Sequence, residues 1–169
     1  MAGRAGRDDQ SGEQGRDDAV TRIVKPRIAQ HSRIEPIQLK IDSDPANLAM
    51  AREAVERLCK SAGFDQKAIH EVGLCVNEAH ANVIRHAYDN ATDRPIEICA
   101  TFDGQKVIVT IRDWGNGVNP AELPPVKIDP LVPGGLGLVC MEKMLDEARF
   151  EPQPDGMLLT MTRRRNRAA

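Results

Sequence analysis

Glu71-Val-Gly-Leu-Cys-Val-Asn-Glu-Ala-His-Ala-Asn-Val-Ile-Arg-His-Ala-Tyr88 is the stretch whose reading decides the fold. Ile69, just before it, and Val72, Val76, Ala79 and Val83 recur at steps of three and four, the period of a helix with one stripe facing a core. Glu78, Asn82 and His86 follow at i, i+4 and i+8, which stacks a carboxylate, an amide and an imidazole along a neighbouring face. A stripe of this kind also suits a plain solvated face. Two glycine-bearing stretches further on, Asp113-Trp-Gly-Asn-Gly117 and Gly134-Gly-Leu-Gly-Leu138, shift the balance, because each makes backbone that a ligand can approach closely.

Outward from this helix the pattern is legible in both directions. Ile37, Leu39 and Ile41 alternate as a first strand, and Ser43-Asp-Pro45 reads as the start of a helix with a Ser or Asp cap. Leu48, Ala51, Val55, Leu58 and Ala62 give that helix its apolar stripe, Gly63 ends it, and Asp65 can cap the next helix, which runs to about Tyr88. Ile96, Ile98 and Phe102 then alternate, Asp103-Gly104 signals a hairpin, and Val107, Val109 and Ile111 return to Asp113. Residues 118–133 are Pro-rich without periodicity and read as a long loop, in the position of a lid. A short helix from Leu136 to Leu145 follows, then a strand around Phe150, a turn at Asp155-Gly156, and a closing strand through Met157, Leu159 and Met161. Strands that arrive in hairpins predict an α+β fold: a two-layer sandwich of a mixed, mainly antiparallel sheet with helices on one face.

With 169 residues the chain suits one domain, read here as residues 31–164, with an N-terminal tail over 1–30 and a basic tail over 165–169. The tail reading rests on composition: Met1 to about Ala19 carries almost no large apolar side chain to offset the entropy of ordering. A net charge of −2 and only five aromatic residues (one Trp, one Tyr, three Phe) argue against direct nucleic-acid binding. Arg163-Arg-Arg-Asn-Arg167 alone is basic, and reads as a solubilising end. The four cysteines sit singly, without a C-x-x-C pair, as small hydrophobes of a reducing compartment; the histidines lack metal-ligand spacing. No apolar run approaches a membrane span and no signal sequence opens the chain, so the expectation is a cytoplasmic protein with no membrane association.

The glycine loops match neither G-x-G-x-x-G nor a Walker loop. Gly134–Leu138 instead offers backbone N–H groups at a helix start, suited to phosphate. Asp113 can accept a hydrogen bond from an exocyclic amine such as that of adenine, Asn82 can supply an oxygen to a magnesium shell, and Glu78 can deprotonate a hydroxyl or a water. Each stretch alone also suits an ordinary turn or surface.

Glu78-Ala-His-Ala-Asn82 with Val-Ile-Arg-His86-Ala-Tyr, Asp113-x-Gly-x-Gly117 and Gly135-Leu-Gly-Leu138 together resemble the N, G1 and G2 boxes of the GHKL, or histidine-kinase-like, ATPases. The closer likeness is to the bacterial anti-sigma factor serine/threonine-protein kinases, and it runs from about Ile37 to Arg164. The resemblance implies that ATP and Mg²⁺ are the cofactors. Asn82 would hold Mg²⁺, Asp113 the adenine amine, Gly115 and Gly117 the floor of the adenine pocket, and Gly134, Gly135, Leu136, Gly137 and Leu138 the phosphates. Arg85 and His86 would lie near the nucleotide, and Glu78 would be the general base. His80 stands where the family has a small or aliphatic residue, and reads as a packed or partner-facing side chain. By the same resemblance the substrate is a STAS-type anti-sigma factor antagonist phosphorylated on Ser or Thr, and the other partner is a sigma factor or similar regulator. A module that binds ATP and switches partners without phosphotransfer fits the same boxes. A sheet built from hairpins leaves edges at which a homodimer can pair.

Overall fold

A computed structural model describes residues 34–116 and 136–166. The expected tail over 1–30, the expected lid over 118–133, and Gly117, Gly134 and Gly135 lie outside these residues. The elements run β1 (Ile37–Asp42), α1 (Asn47–Ser61), α2 (Gln66–Asn82), a π-helical turn (Val83–Ala87), β2 (Pro95–Phe102), β3 (Lys106–Asp113), α3 (Leu136–Met144), β4 (Glu147–Gln153) and β5 (Gly156–Arg164). The sheet order is β1-β2-β3-β5-β4. Every pairing in it is antiparallel, so the expected mixed sheet is antiparallel throughout the described residues. Hairpins at Asp103–Gln105 and Pro154–Asp155 account for two of these pairings, while β2 is reached through α1, α2 and the π turn and β4 through α3.

Register carries the alternation of the sequence across the whole sheet. One row joins Leu39, Ile98, Ile111, Leu159 and Phe150, and the next joins Ile37, Ala100, Val109, Met161 and Ala148. These rows face α1 and α2, whose stripes (Ala51, Val55, Leu58 and Cys59; Ile69, Val72, Val76 and Ala79) complete the core. Asp113 lies in a further row on the same inward face, flanked across the strands by Ile96 and Met157, so the register itself carries a carboxylate into an apolar layer.

Local signals decide where the helices begin and end. Asp65 caps α2 by accepting the Ala68 N–H at 2.8 Å, and Gly63, at φ +75°, takes the left-handed conformation that ends α1. The start of α1 differs from its expectation. Ser43 is not a cap: it is fully buried, donates to Ala91 O at 2.5 Å and accepts from Arg94 N at 3.1 Å. A long-range tie to the β2 approach thus outcompetes the local cap, and α1 starts at Asn47 with no side-chain cap. The basic end also differs. Arg165 donates to Ala62 O at 2.6 Å and Gly104 O at 3.2 Å and lies 5.2 Å from the Phe102 ring centroid, and Asn166 donates to Asp65. Arg165 thus satisfies the Ala62 carbonyl at the end of α1 and joins it to the β2–β3 hairpin, while Asn166 reaches the cap of α2.

His80 is packed, with no exposed surface, and neither ring nitrogen has a hydrogen-bond partner among the described residues. Burial pushes its imidazole down to about 4. Relative to the unfolded chain, its neutral form favours folding fully above about pH 6.5, and that contribution is lost as the pH falls towards 4. The component amounts to roughly 3 kcal/mol. Urea denaturation between pH 7.5 and pH 4 checks it: His80→Leu is expected to remove this part of the acid slope. A slope unchanged by the substitution assigns the acid sensitivity elsewhere.

Candidate functional site

The site is built around the end of α2. Glu78 and Asn82, one turn apart, present their side chains toward α3. Gly137 of α3 is buried against them: a Cβ there would lie 3.0 Å from Asn82 Nδ2 and 3.6 Å from Glu78 Cβ. Glycine at 137 therefore keeps α3 close to this pair, since a side chain there would crowd the Asn82 amide. Leu136 and Leu138 belong to the same helix.

After Asn82 the chain enters the π-helical turn Val83–Ala87, closed by Tyr88 N–H donating to Val83 O at 3.1 Å. Such a turn inserts one residue into the helical repeat and is common at functional sites. The expected ladder of Glu78, Asn82 and His86 assumed an uninterrupted α-helix. In its place Arg85 joins the first two: its Nη2 donates to Asn82 Oδ1 at 2.9 Å and stands 3.9 Å from Glu78 Oε2. His86 is exposed and has no part in this contact.

Beyond the π turn, Ala87 meets the second glycine stretch. A Cβ on Gly115 would fall 2.7 Å from both the Cβ and the carbonyl carbon of Ala87, and closer to its oxygen. The neighbour is backbone and cannot yield cheaply, so glycine at 115 is required by the approach of two chain segments. The sequence reading gave this glycine to a ligand's flat ring; here it serves first the packing that sets the position of Asp113.

Asp113 is buried at the end of β3 and accepts the Gly115 N–H at 3.0 Å. Burial raises its carboxyl above the ordinary value, opposed by the Gly115 N–H, the Arg112 charge and the Met157 backbone. A buried carboxylate at a strand end is poised to receive a donor, such as an exocyclic amine.

Two side chains that the sequence reading passed over hold this corner. Tyr88, buried at the close of the π turn, accepts the Trp114 N–H at 2.7 Å and donates to Pro95 O at 2.6 Å, tying α2 to both β2 and the Asp113 loop. Arg112 bonds Asp113 O and the Asp155 carboxylate, reaches Met157 O at 3.3 Å, and covers the Trp114 ring at 4.7 Å from its centroid. It fastens the β4–β5 turn over the end of β3, where a Cβ on Gly156 would lie 2.7 Å from Trp114 Cα. Tyr88 was visible as the sole tyrosine closing the long helix; Arg112, pointing away from the inward row, gave no periodic signal.

Cys59 and Cys75 are buried, and burial pushes each thiol up to about 12, so neither is an activated nucleophile. Among the described residues no group of three or more His, Cys, Asp or Glu could hold a metal ion, and no helix is long and apolar enough to cross a membrane.

Gly115→Ala is expected to destabilise the fold by about 2 kcal/mol or more, the order of a side chain forced into a filled site. Gly104→Ala, at a hairpin where a Cβ meets nothing within 4 Å but φ is +97°, should cost about 1 kcal/mol. Thermal denaturation of the two variants side by side checks the order, and equal losses would contradict the backbone-contact reading of Gly115.

Known proteins resemble this chain over most of its length. Curated relatives named Serine-protein kinase RsbW include one from Bacillus licheniformis, 29% identical over 142 residues, covering 78% of this chain and 86% of its own. One from Bacillus subtilis is 25% identical over 135 residues, covering 75% and 84% respectively. One from Listeria monocytogenes is 24% identical over 137 residues, covering 76% and 87%. Among solved structures, the RsbU and RsbW domains of Rv1364c from Mycobacterium tuberculosis superpose with a TM-score of 0.61 at 22% identity, over 80% of this chain and 34% of that one, a likeness of fold. The sequence profile of the Histidine kinase-like ATPase domain matches residues 41–163, nearly all of the described fold. This chain belongs to the histidine kinase-like ATPase domain family.

Proposed function

We propose that this protein is an ATP-dependent serine/threonine-protein kinase that acts as an anti-sigma factor and phosphorylates a small STAS-type antagonist. The observation that carries the reading is the convergence of Glu78 and Asn82 of α2 on Gly137 of α3, with a buried Asp113 fixed to the same helix through the Gly115–Ala87 contact. Family membership and relatives named as serine-protein kinases support it.

Each residue then has a task that its surroundings suit. Asp113, held as an acceptor in an apolar row, selects a ring bearing an exocyclic amine, as adenine does. Gly117, Gly134 and Gly135 join this set as contributors to the adenine floor and the phosphate loop. In α3, Gly137 leaves room beside Asn82, and the backbone from Leu136 to Leu138 opens a helix toward the phosphates.

Asn82 supplies a neutral amide oxygen, and no carboxylate cage surrounds it among the described residues. That donor set fits Mg²⁺, which keeps several waters and is commonly shared between a few protein oxygens and the substrate's phosphates. When bound, Mg²⁺ neutralises charge on the transferring phosphoryl group. Glu78, about a third exposed and one turn from Asn82, accepts the proton of the Ser or Thr hydroxyl as that oxygen attacks. Arg85 fixes the direction of both side chains. His86, exposed at the rim, is left for a contact with nucleotide or partner. Phosphorylation adds charge to the antagonist and weakens its hold, releasing the kinase to retain a sigma factor in the cytoplasm. A homodimer is compatible with the sheet, whose edges are β1 and β4.

The test uses purified protein, Mg²⁺, γ-labelled ATP and a purified STAS-domain antagonist from the same cell. Label is expected on Ser or Thr of the antagonist. Glu78→Gln should slow transfer by about 10²–10⁴-fold while retaining ATP, and Asp113→Asn should lose ATP binding measured by calorimetry. ATP retained by the wild type with no label transferred would favour the partner-switch module without phosphotransfer; no ATP binding would overturn both readings.

A further inference from the structure

The oxygen that the proposed function gives to a cation already has a cationic partner. Arg85 Nη2 donates to Asn82 Oδ1 at 2.9 Å and lies 3.9 Å from Glu78 Oε2, while its Nε donates to Ala81 O at 3.3 Å. A guanidinium only donates, so the Asn82 amide must turn its oxygen toward Arg85. The other end of that amide, Nδ2, faces Gly137, where an added Cβ would lie 3.0 Å from it. A metal ion at Asn82 Oδ1 would compete with Arg85 for that oxygen. Glu78 and Arg85 are partly exposed, at 29% and 40% of the side chain, so solvent screens the pair and the latch is light enough to open.

We propose that Arg85 is a resident counter-cation of the nucleotide-free site. Its guanidinium holds Glu78 and Asn82 in their working directions, and it leaves Asn82 Oδ1 when a divalent cation enters with the nucleotide. Arg85 lies three residues after Asn82, a spacing that brings helical neighbours together, and reaches back over the end of α2. Arg85 is on this account a positioning residue that also sets the threshold for the cation. The proposal rests on the nucleotide-site reading given above.

Mn²⁺ is the probe, titrated into the whole protein at saturating ADP and followed by the electron paramagnetic resonance of free Mn²⁺. Wild type, Arg85→Ala, Arg85→Lys and Asn82→Ala are compared, with ADP binding in the absence of metal measured for each. Arg85→Ala removes the competitor and should bind Mn²⁺ about threefold to tenfold more tightly than wild type, the equivalent of one hydrogen bond. Arg85→Lys keeps the charge without the planar fork, and should fall between the two. In the metal-free protein, the Asn82 side-chain amide resonances should shift on Arg85→Ala and shift the same way when Mg²⁺ and ADP are added to wild type. Equal or weaker Mn²⁺ binding in Arg85→Ala, with ADP binding intact, overturns the counter-cation while leaving the nucleotide site standing. Absence of ADP binding in the wild type overturns the nucleotide reading and the proposal with it.

Discussion

The fold depends on a place where two backbones touch. Gly115 lies so close to Ala87 that a single added carbon would overlap the peptide, and this contact fixes the end of the strand β3 to the end of the π turn. From it the rest follows. Tyr88, the next residue, bonds the backbone on both sides of the junction, and Arg112 fastens the β4–β5 turn over it. Asp113 can then remain buried with its acceptor direction set by Gly115 N–H. A contact of this kind is unforgiving to substitution, since backbone cannot step aside as the end of a side chain can.

A second close approach comes before the π turn, where Gly137 lies beside Asn82 and Glu78. The C-terminal end of α2 and the π turn after it thus position both an amide–carboxylate pair and, through Ala87, an acidic acceptor. That economy explains why the chemistry-bearing residues fall in short runs at three separated places in the chain. The core rows of the sheet, apolar through Leu39, Ile98, Ile111, Leu159 and Phe150, supply the stability against which a buried carboxylate and an imidazole buried without a partner among the described residues can be tolerated. His80 is the less compensated of the two, and its cost rises as the medium becomes acidic.

Most of the frame is legible from the residues alone because its causes are local. Alternating Ile and Val gave the strands, Asp65 gave a cap, Gly63 and Gly104 gave turns, and each acts within a few residues. Where the reading departs from the structure, the cause is tertiary. Ser43 had the chemistry of a cap but found Ala91 and Arg94, forty-eight and fifty-one residues away. The π turn has no signature in composition; it ends at the junction with Gly115 and Tyr88, and Arg85 rather than His86 bonds Asn82. Arg165 looked like one more terminal charge until the carbonyl end of α1 was seen to need donors. The glycine boxes were recognised by pattern, whereas the physical reason for Gly115 and Gly137 emerged only from what a Cβ would strike.

The central claim is that nucleotide binds between the end of β3 and the start of α3, against the face of α2 that bears Glu78 and Asn82. Chemical-shift mapping of the labelled protein with Mg²⁺ and ATP tests it most directly. The account predicts shifts of the backbone amides at Asp113–Gly115 and Leu136–Val139 and of the Asn82 side-chain amide, with β1 and β4 at the sheet edges left unmoved. Shifts centred on either edge, or none at saturating ATP, would contradict it.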